Sequence, residues 1–121
     1  MKLKRIKVGV KNAQAALDDF VRIGEAIMLG HHPKRESRVY FENYEFLRKT
    51  LTPKRMELLQ IIKADHPTTT NELARKCKRN IRNVAADLRH LERIGLVDFR
   101  ADKSRNIFVV PYDRIVIEIF F

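Results

Sequence analysis

Between Arg75 and Arg82 the chain reads RKCKRNIR, five cations among eight residues and no acid. Cations at that density do one kind of chemistry unaided: they hold a polyanion. The planar fork of arginine fits phosphate and guanine edges, and asparagine fits adenine edges. Lys78, Arg79, Asn80, Arg82 and Asn83 supply both types, with Arg89 further along. A second basic group, Arg100, Lys103 and Arg105 around Ser104, follows it. Groups for other chemistry are sparse. There is no phosphate-binding glycine loop, nucleophile elbow or metal motif in the sequence, so neither catalysis nor a cofactor is expected. Asp18 and Asp19 are neighbours, and adjacent helical residues point apart. His31 and His32 have no second ligand cluster beside them, and His66 and His90 lack ligand spacing, so no metal is expected. Cys77 shares a helical face with Leu73 and Ala74, which suits a small core residue better than a redox sensor. Tyr40, Phe41, Tyr44 and Phe46 are capable of stacking on bases, but their spacing fits a core.

The whole chain agrees with the basic cluster. Its 121 residues carry 25 basic and 15 acidic side chains, a net charge of +10. Residues 53–110 hold 13 of the cations against 7 acids. With 45% hydrophobic and 33% charged residues, the chain is globular rather than disordered. A single cysteine excludes an intrachain disulfide and suits a reducing cytoplasm. The N-terminus lacks the apolar core of a signal peptide, and no apolar run is long enough for a membrane span. The expected setting is cytoplasmic and the expected partner is nucleic acid.

A polyanion is read only if something rigid presents the cations, so the elements around them matter. KLKRIKVGVK alternates Ile6, Val8 and Val10 as a half-buried strand. Asn12 offers an N-cap for a helix over Ala13–Met28, with Leu17, Phe20, Gly24, Ile27 and Met28 on one face. Gly24 is small enough for close packing against another helix. Gly30 ends that helix, and GHHPKRES reads as a loop. RVYF reads as a short strand. ENYEFLRKT reads as a short helix with Tyr44, Leu47 and Leu51 inward. Thr52 and Pro53 start the next helix, with Met56, Leu59 and Ile62 buried, and His66-Pro67 stops it. Thr69 and Glu72 form a capping box for a second helix. After a turn at Lys78-Arg79, a third helix runs from about Asn80 to Ile94, with Ile81, Val84, Leu88 and Leu91 inward. Gly95 is its C-terminal stop. LVDFR, the polar turn ADKSRN and IFVV make a hairpin, and RIVIEIFF is a last strand. The outer strands are able to pair, within one chain or across two.

Three helices and a hairpin in this order predict an α+β fold containing a winged helix-turn-helix. Residues 52–111 form the DNA-binding block, 1–51 a strand-helix extension for dimerisation, and 112–121 a strand packed on the N-terminal part. In that fold the last helix enters the major groove N-terminus first. Its outward residues are expected to be Arg79, Arg82, Asn83, Ala86 and Arg89, with Thr69 and Thr70 contributing at the start of the helix before it. Arg100, Lys103, Ser104 and Arg105 would be the wing.

The stretch NELARKCKRNIRNVAADLRHLERIGLV resembles the helix-turn-helix core of MarR-type and ArsR-type regulators. Glu72-Leu73-Ala74, Leu88, Leu91-Glu92 and Gly95-Leu96-Val97 carry the likeness. With LTPKRMELLQIIK, VYFENYEFLRKTL and VPYDRIVIEI, nearly the whole chain is similar to small archaeal and bacterial proteins described as predicted transcriptional regulators. The basic clusters and the resemblance together imply a regulator of transcription, a repressor, that binds double-stranded DNA, with no cofactor implied. A homodimer is expected because two half-sites multiply the affinity of one module and match operator symmetry. The resemblance also implies another role, an antitoxin-like module that binds a toxin-like protein as well as its own promoter. The high charge and Ala85-Ala86 point to a third, a non-specific chromosome-coating protein. Ala85 and Ala86 stand where such recognition helices often place a polar and a basic residue, which weakens the expectation of strong base specificity.

Overall fold

The protein, described here from a computed structural model covering residues 4–31 and 37–121, mixes helices and strands. The order is β1 (Arg5–Val10), α1 (Ala13–Met28), β2 (Ser37–Phe41), α2 (Tyr44–Thr50), α3 (Pro53–Asp65), α4 (Thr70–Cys77), α5 (Ile81–Arg93), β3 (Asp98–Asp102), β4 (Arg105–Val109) and β5 (Arg114–Ile119). Most of the loop expected at GHHPKRES, with His32, lies outside the described residues. The chain divides into two compact units, Met1–Lys49 with Arg114–Phe121, and Thr50–Asp113.

The first unit is built on a three-stranded sheet in the order β2-β1-β5, with both pairings parallel. The outer strands therefore pair within one chain. Parallel strands cannot be joined by a tight turn, and α1 provides the crossover from β1 to β2. Ile6, Val8 and Val10 are buried and lie in register with Ile115, Ile117 and Ile119. On the other face, Gly9 leaves room for the Tyr40 ring, which would lie 2.8 Å from an added Cβ. Beside it the buried Lys11 pairs with Asp19 of α1. The Lys11 ammonium also lies 4.4 Å from the Phe120 ring centroid and 5.1 Å from that of Tyr40. A buried cation with a carboxylate and two ring faces around it is compensated on several sides.

Asn12 caps α1 as expected, its side chain accepting from the Ala15 N–H at 2.8 Å. The half-buried residues of α1 are Ala15, Ala16, Asp19 and Ala26, so its small side is turned inward and its large apolar side outward. In α2 only Leu47 is buried. Tyr44, expected inward, is exposed, because it opens a two-turn helix whose first turn is capped by Asn43 at the surface.

The second unit is the winged helix-turn-helix. Thr52 caps α3, accepting from the Arg55 N–H at 3.2 Å, and Pro53 takes a first-turn position where no N–H is missed. The buried α3 residues are Leu58, Leu59 and Ile62, and Met56 is only half-buried. They meet Leu73 and Ala74 of α4, and Val84, Leu88 and Leu91 of α5, in one core. Ile81, expected in that stripe, is 42% exposed because it is the first residue of α5 and overhangs the packed turns. Gly95 has φ +85°, which lets the Leu96 N–H return to the Leu91 carbonyl at 2.9 Å and close the helix. The hairpin β3–β4 is fastened by the Phe108 N–H donating to the Pro67 carbonyl at 2.8 Å. Phe99 lies against Phe108, ring centroids 4.7 Å apart.

The different burial of two apolar residues on one helix is measurable. Leu91→Ala should cost about 2–5 kcal/mol in urea unfolding, and Ile81→Ala well under half of that. Equal losses would contradict the burial pattern.

Candidate nucleic-acid interface

The presentation of the cations begins with two caps. Thr69 accepts from the Glu72 N–H at 3.0 Å, which starts α4. The expected reciprocal bond from Glu72 to Thr69 is shifted by one residue. The Glu72 carboxylate accepts instead from the Thr68 N–H at 3.0 Å and the Thr68 hydroxyl at 3.1 Å. These bonds, backbone first, hold its carboxyl below the ordinary carboxylate range. Lys78 then takes the left-handed region, φ 55°, and turns the chain from α4 into α5. Asn80 caps α5, its side chain accepting from the Arg82 N–H at 2.8 Å.

Arg79 is not on the outward face where the helical count places it. Its Nη2 donates to Asp87 Oδ2 at 2.6 Å, while Arg55 Nε donates to Asp87 Oδ1 at 2.9 Å. Arg55 Nη1 also donates to the Thr50 carbonyl at 2.9 Å. The three charged side chains are only 14–15% exposed. Asp87 sits on α5 about two turns beyond the cap, and its carboxylate draws the turn arginine inward. Burial pushes the Asp87 carboxyl up, and the hydrogen bonds and charges of Arg79 and Arg55 outweigh it, leaving it below the usual value. Arg79 Nη1 is buried without a hydrogen-bond partner. The cluster braces α3, the turn and α5 together, and so sets the direction in which α5 presents its other face.

That face carries Arg82, Ala86, Arg89 and Arg93, at spacings that keep them in one line along the helix. Asn83 and His90 lie beside the line. All are exposed except Ala86, which is half-buried. Among the described residues, Lys78, Arg82, Arg89 and Arg93 have no ion pair. Arg93 and His90 were not evident from the cluster at the helix start; stepping one helical turn, four residues, beyond Arg89 finds Arg93. Thr70 is half-buried, and the Thr69 hydroxyl is engaged in the cap.

The hairpin exposes Arg100, Lys103, Ser104 and Arg105. Lys103 occupies the tip with φ 57°. Arg100 is held by Asp98 through Nη2 at 2.9 Å and Nε at 3.0 Å. Asp102 stands directly across from Arg105 in the ladder. With three cations and two acids over residues 98–105, the hairpin is far less positive than its basic residues alone suggest. Its free charge is concentrated at Lys103 and Arg105.

Cys77 is half-buried, its Sγ donating to the Ala74 carbonyl at 3.6 Å. Among the described residues no cluster of three His, Cys, Asp or Glu side chains is placed to hold a metal ion, and no helix is long and apolar enough to cross a membrane. His31 is exposed.

The brace predicts a pH effect with a definite sign. Asp87 titrates lower in the folded protein than in the unfolded chain. Its stabilisation is therefore complete above about pH 5 and is lost as pH falls through 4 toward the folded value. Asp87→Asn should flatten that part of the stability profile. Asp87→Ala should cost about 2–3 kcal/mol at pH 7, because it leaves two half-enclosed arginines without their acceptor. Profiles of the wild type and Asp87→Asn that run parallel below pH 5 would refute the assignment.

Two solved structures from Mycobacterium bovis are similar to this chain. One is an NMR structure of the homodimeric winged helix-turn-helix DNA-binding domain of a possible ArsR-family transcriptional regulator. It shares 18% identity at a TM-score of 0.43, over 80% of this chain and 68% of that one. The other is a crystal structure of a possible transcriptional regulatory protein, with 20% identity at a TM-score of 0.41, over 79% of this chain and 77% of that one. No curated protein sequence matches the chain. A family model described as HVO_A0114 matches residues 50–117, which is more than half of the 121 residues, and the chain belongs to the HVO_A0114 family.

Proposed function

We propose that this protein binds double-stranded DNA, with α5 in the major groove and the β3–β4 tip on the backbone, and that it regulates transcription by occupying a promoter. One observation carries the reading. In the winged unit Arg55, Lys63, Lys76, Arg79 and Arg100 are committed to ion pairs. The cations without a pair include Lys78, Arg82, Arg89 and Arg93, along the turn and one face of the second helix of a helix-turn-helix. A face of unmatched positive charge at that place suits a phosphate backbone, and the positive end of the α5 dipole adds to it.

Within that interface the roles divide by position. Arg82 and Asn83, in the first turn of α5, are the residues for base edges, and Ala86 suits contact with a thymine methyl. Arg89 and Arg93 are phosphate contacts, as are Lys103 and Arg105 on the wing. Thr70 takes part at the start of α4. Arg79 is a brace and not a contact. The likeness of Glu72–Val97 to MarR-type and ArsR-type cores supports a repressor that excludes the transcription machinery from its site. Two copies on two half-sites would multiply the modest affinity of one such module.

The experiment is fluorescence anisotropy on the protein's own upstream duplex and on a scrambled duplex, across a salt series. Arg89→Ala, Arg93→Ala and Arg105→Ala should each lower the salt slope by about one, with similar loss on both duplexes. Arg82→Ala should cost about 1–3 kcal/mol and reduce the preference for the upstream duplex. Arg100→Ala should change the slope least, since Asp98 already neutralises it. Equal affinity for both duplexes would replace regulation with non-specific coating of DNA. Absence of binding to either at low salt would overturn the DNA reading and direct attention to a protein partner.

A further inference from the structure

The amphipathic helix α1 is turned the wrong way round for a helix covering its own sheet. Its alanines and Asp19 are half-buried, and none of its residues is fully buried. Its large apolar side chains point away. Phe20 is 73% exposed, Met28 88%, Leu17 and Ile27 55% each, and Val21 49%. With about 150–250 Å² on a large aromatic side chain and somewhat less on an aliphatic one, these five leave roughly 500 Å² of apolar surface on one face. That reaches the largest patch an ordinary monomer carries, about 300–600 Å². Two such faces together make on the order of 1,000 Å², the floor for a specific interface.

The pattern on that face says what fits it. Gly24 lies at its centre, and an added Cβ there would meet nothing within 4 Å. It has ordinary helical geometry, so neither backbone conformation nor packing inside the chain calls for glycine. Large apolar residues stand three and four positions before it, Val21 and Phe20, and three and four after it, Ile27 and Met28. The face is thus apolar for one turn on either side of Gly24. In a two-fold antiparallel crossing centred there, each pair occurs twice and every large side chain of these two turns meets another apolar one.

We infer that α1 packs against α1 of a second copy of this chain in an antiparallel crossing centred on Gly24. Gly24 meets the partner's Gly24, Phe20 lies over the partner's Met28, and Val21 over the partner's Ile27. The two backbones approach as closely as only glycine allows, and Phe20 gains a sulfur contact from methionine. This extends the DNA reading by naming the partner that makes two half-sites readable, and its test uses no DNA, so either can fail alone.

The test uses the full chain in sedimentation equilibrium and a cross-linking assay. The wild type should be a dimer at about 10 μM, and Phe20→Glu should be monomeric there. Gly24→Leu, which fills only open space within one chain, should weaken association at least about tenfold while far-ultraviolet circular dichroism is retained. In a Cys77→Ala background, Gly24→Cys should form an interchain disulfide, since it requires Cα atoms about 4.4–6.8 Å apart, and Arg22→Cys on the opposite side of α1 should not. A wild type that stays monomeric at about 100 μM would overturn the proposal. So would a dimer that survives Phe20→Glu, a dimer unweakened by Gly24→Leu, or equal cross-linking from both positions.

Discussion

The winged unit depends on one carboxylate. Asp87 accepts from Arg79 in the turn and from Arg55 in α3, and both bonds leave α5 little freedom to roll about its axis. The rotation of α5 decides what it presents, because a roll of one residue, about 100°, would exchange Arg82 and Arg89 for Ile81 and Leu88 or for Asn83 and His90. Apolar packing is non-directional and by itself fixes such a roll only loosely. Directional, charge-assisted hydrogen bonds fix it more closely. The polar brace therefore supplies orientation where the core supplies cohesion.

The same pairing sorts the cations. A highly basic unit repels itself, and fixing some of the charge internally limits that cost. Among the described residues of this unit, the cations without an ion pair include four, Lys78, Arg82, Arg89 and Arg93, that follow the turn and one side of α5. The hairpin shows the opposite balance, with Asp98 and Asp102 interleaved among its cations. Its unpaired positive charge is thus confined to the tip, near Lys103 and Arg105.

Much of this is legible in the sequence, because it rests on local chemistry. Asn12, Thr52 and Thr69 each cap the helix they precede, and Gly95 ends α5, since such end bonds span only a few residues. The spacing of Val84, Leu88 and Leu91 marks the inward side of α5, and by subtraction the exposure of Arg82, Asn83 and Arg89. The failures are of another kind. The direction of Arg79 is decided by Asp87, and that of Asp87 in part by Arg55, 32 residues away, and charge type does not reveal a partner. Ile81 fits the apolar interval but falls at a helix end, where periodicity says nothing of cover. The helix at Ala13–Met28 is legible as amphipathic, yet which side turns to the sheet follows from Lys11 reaching Asp19. The parallel sense of β1 and β5 is invisible in two alternating segments, since alternation is the same in either direction.

The strand order β2-β1-β5 has a consequence for the order of events on the ribosome. The central strand is made first and one of its two neighbours last. Thr50–Asp113 is a continuous stretch whose core contacts are complete as soon as it has emerged. The other unit is discontinuous, and β1 must wait with one edge open until Arg114–Ile119 has been synthesised. At translation speeds of about 5–20 residues per second, that interval lasts several seconds, long compared with the folding of a small helical block. The nascent chain thus acquires its helix-turn-helix before its sheet is finished. In the meantime one edge of β1 presents a row of unpaired backbone groups on which another chain is able to pair.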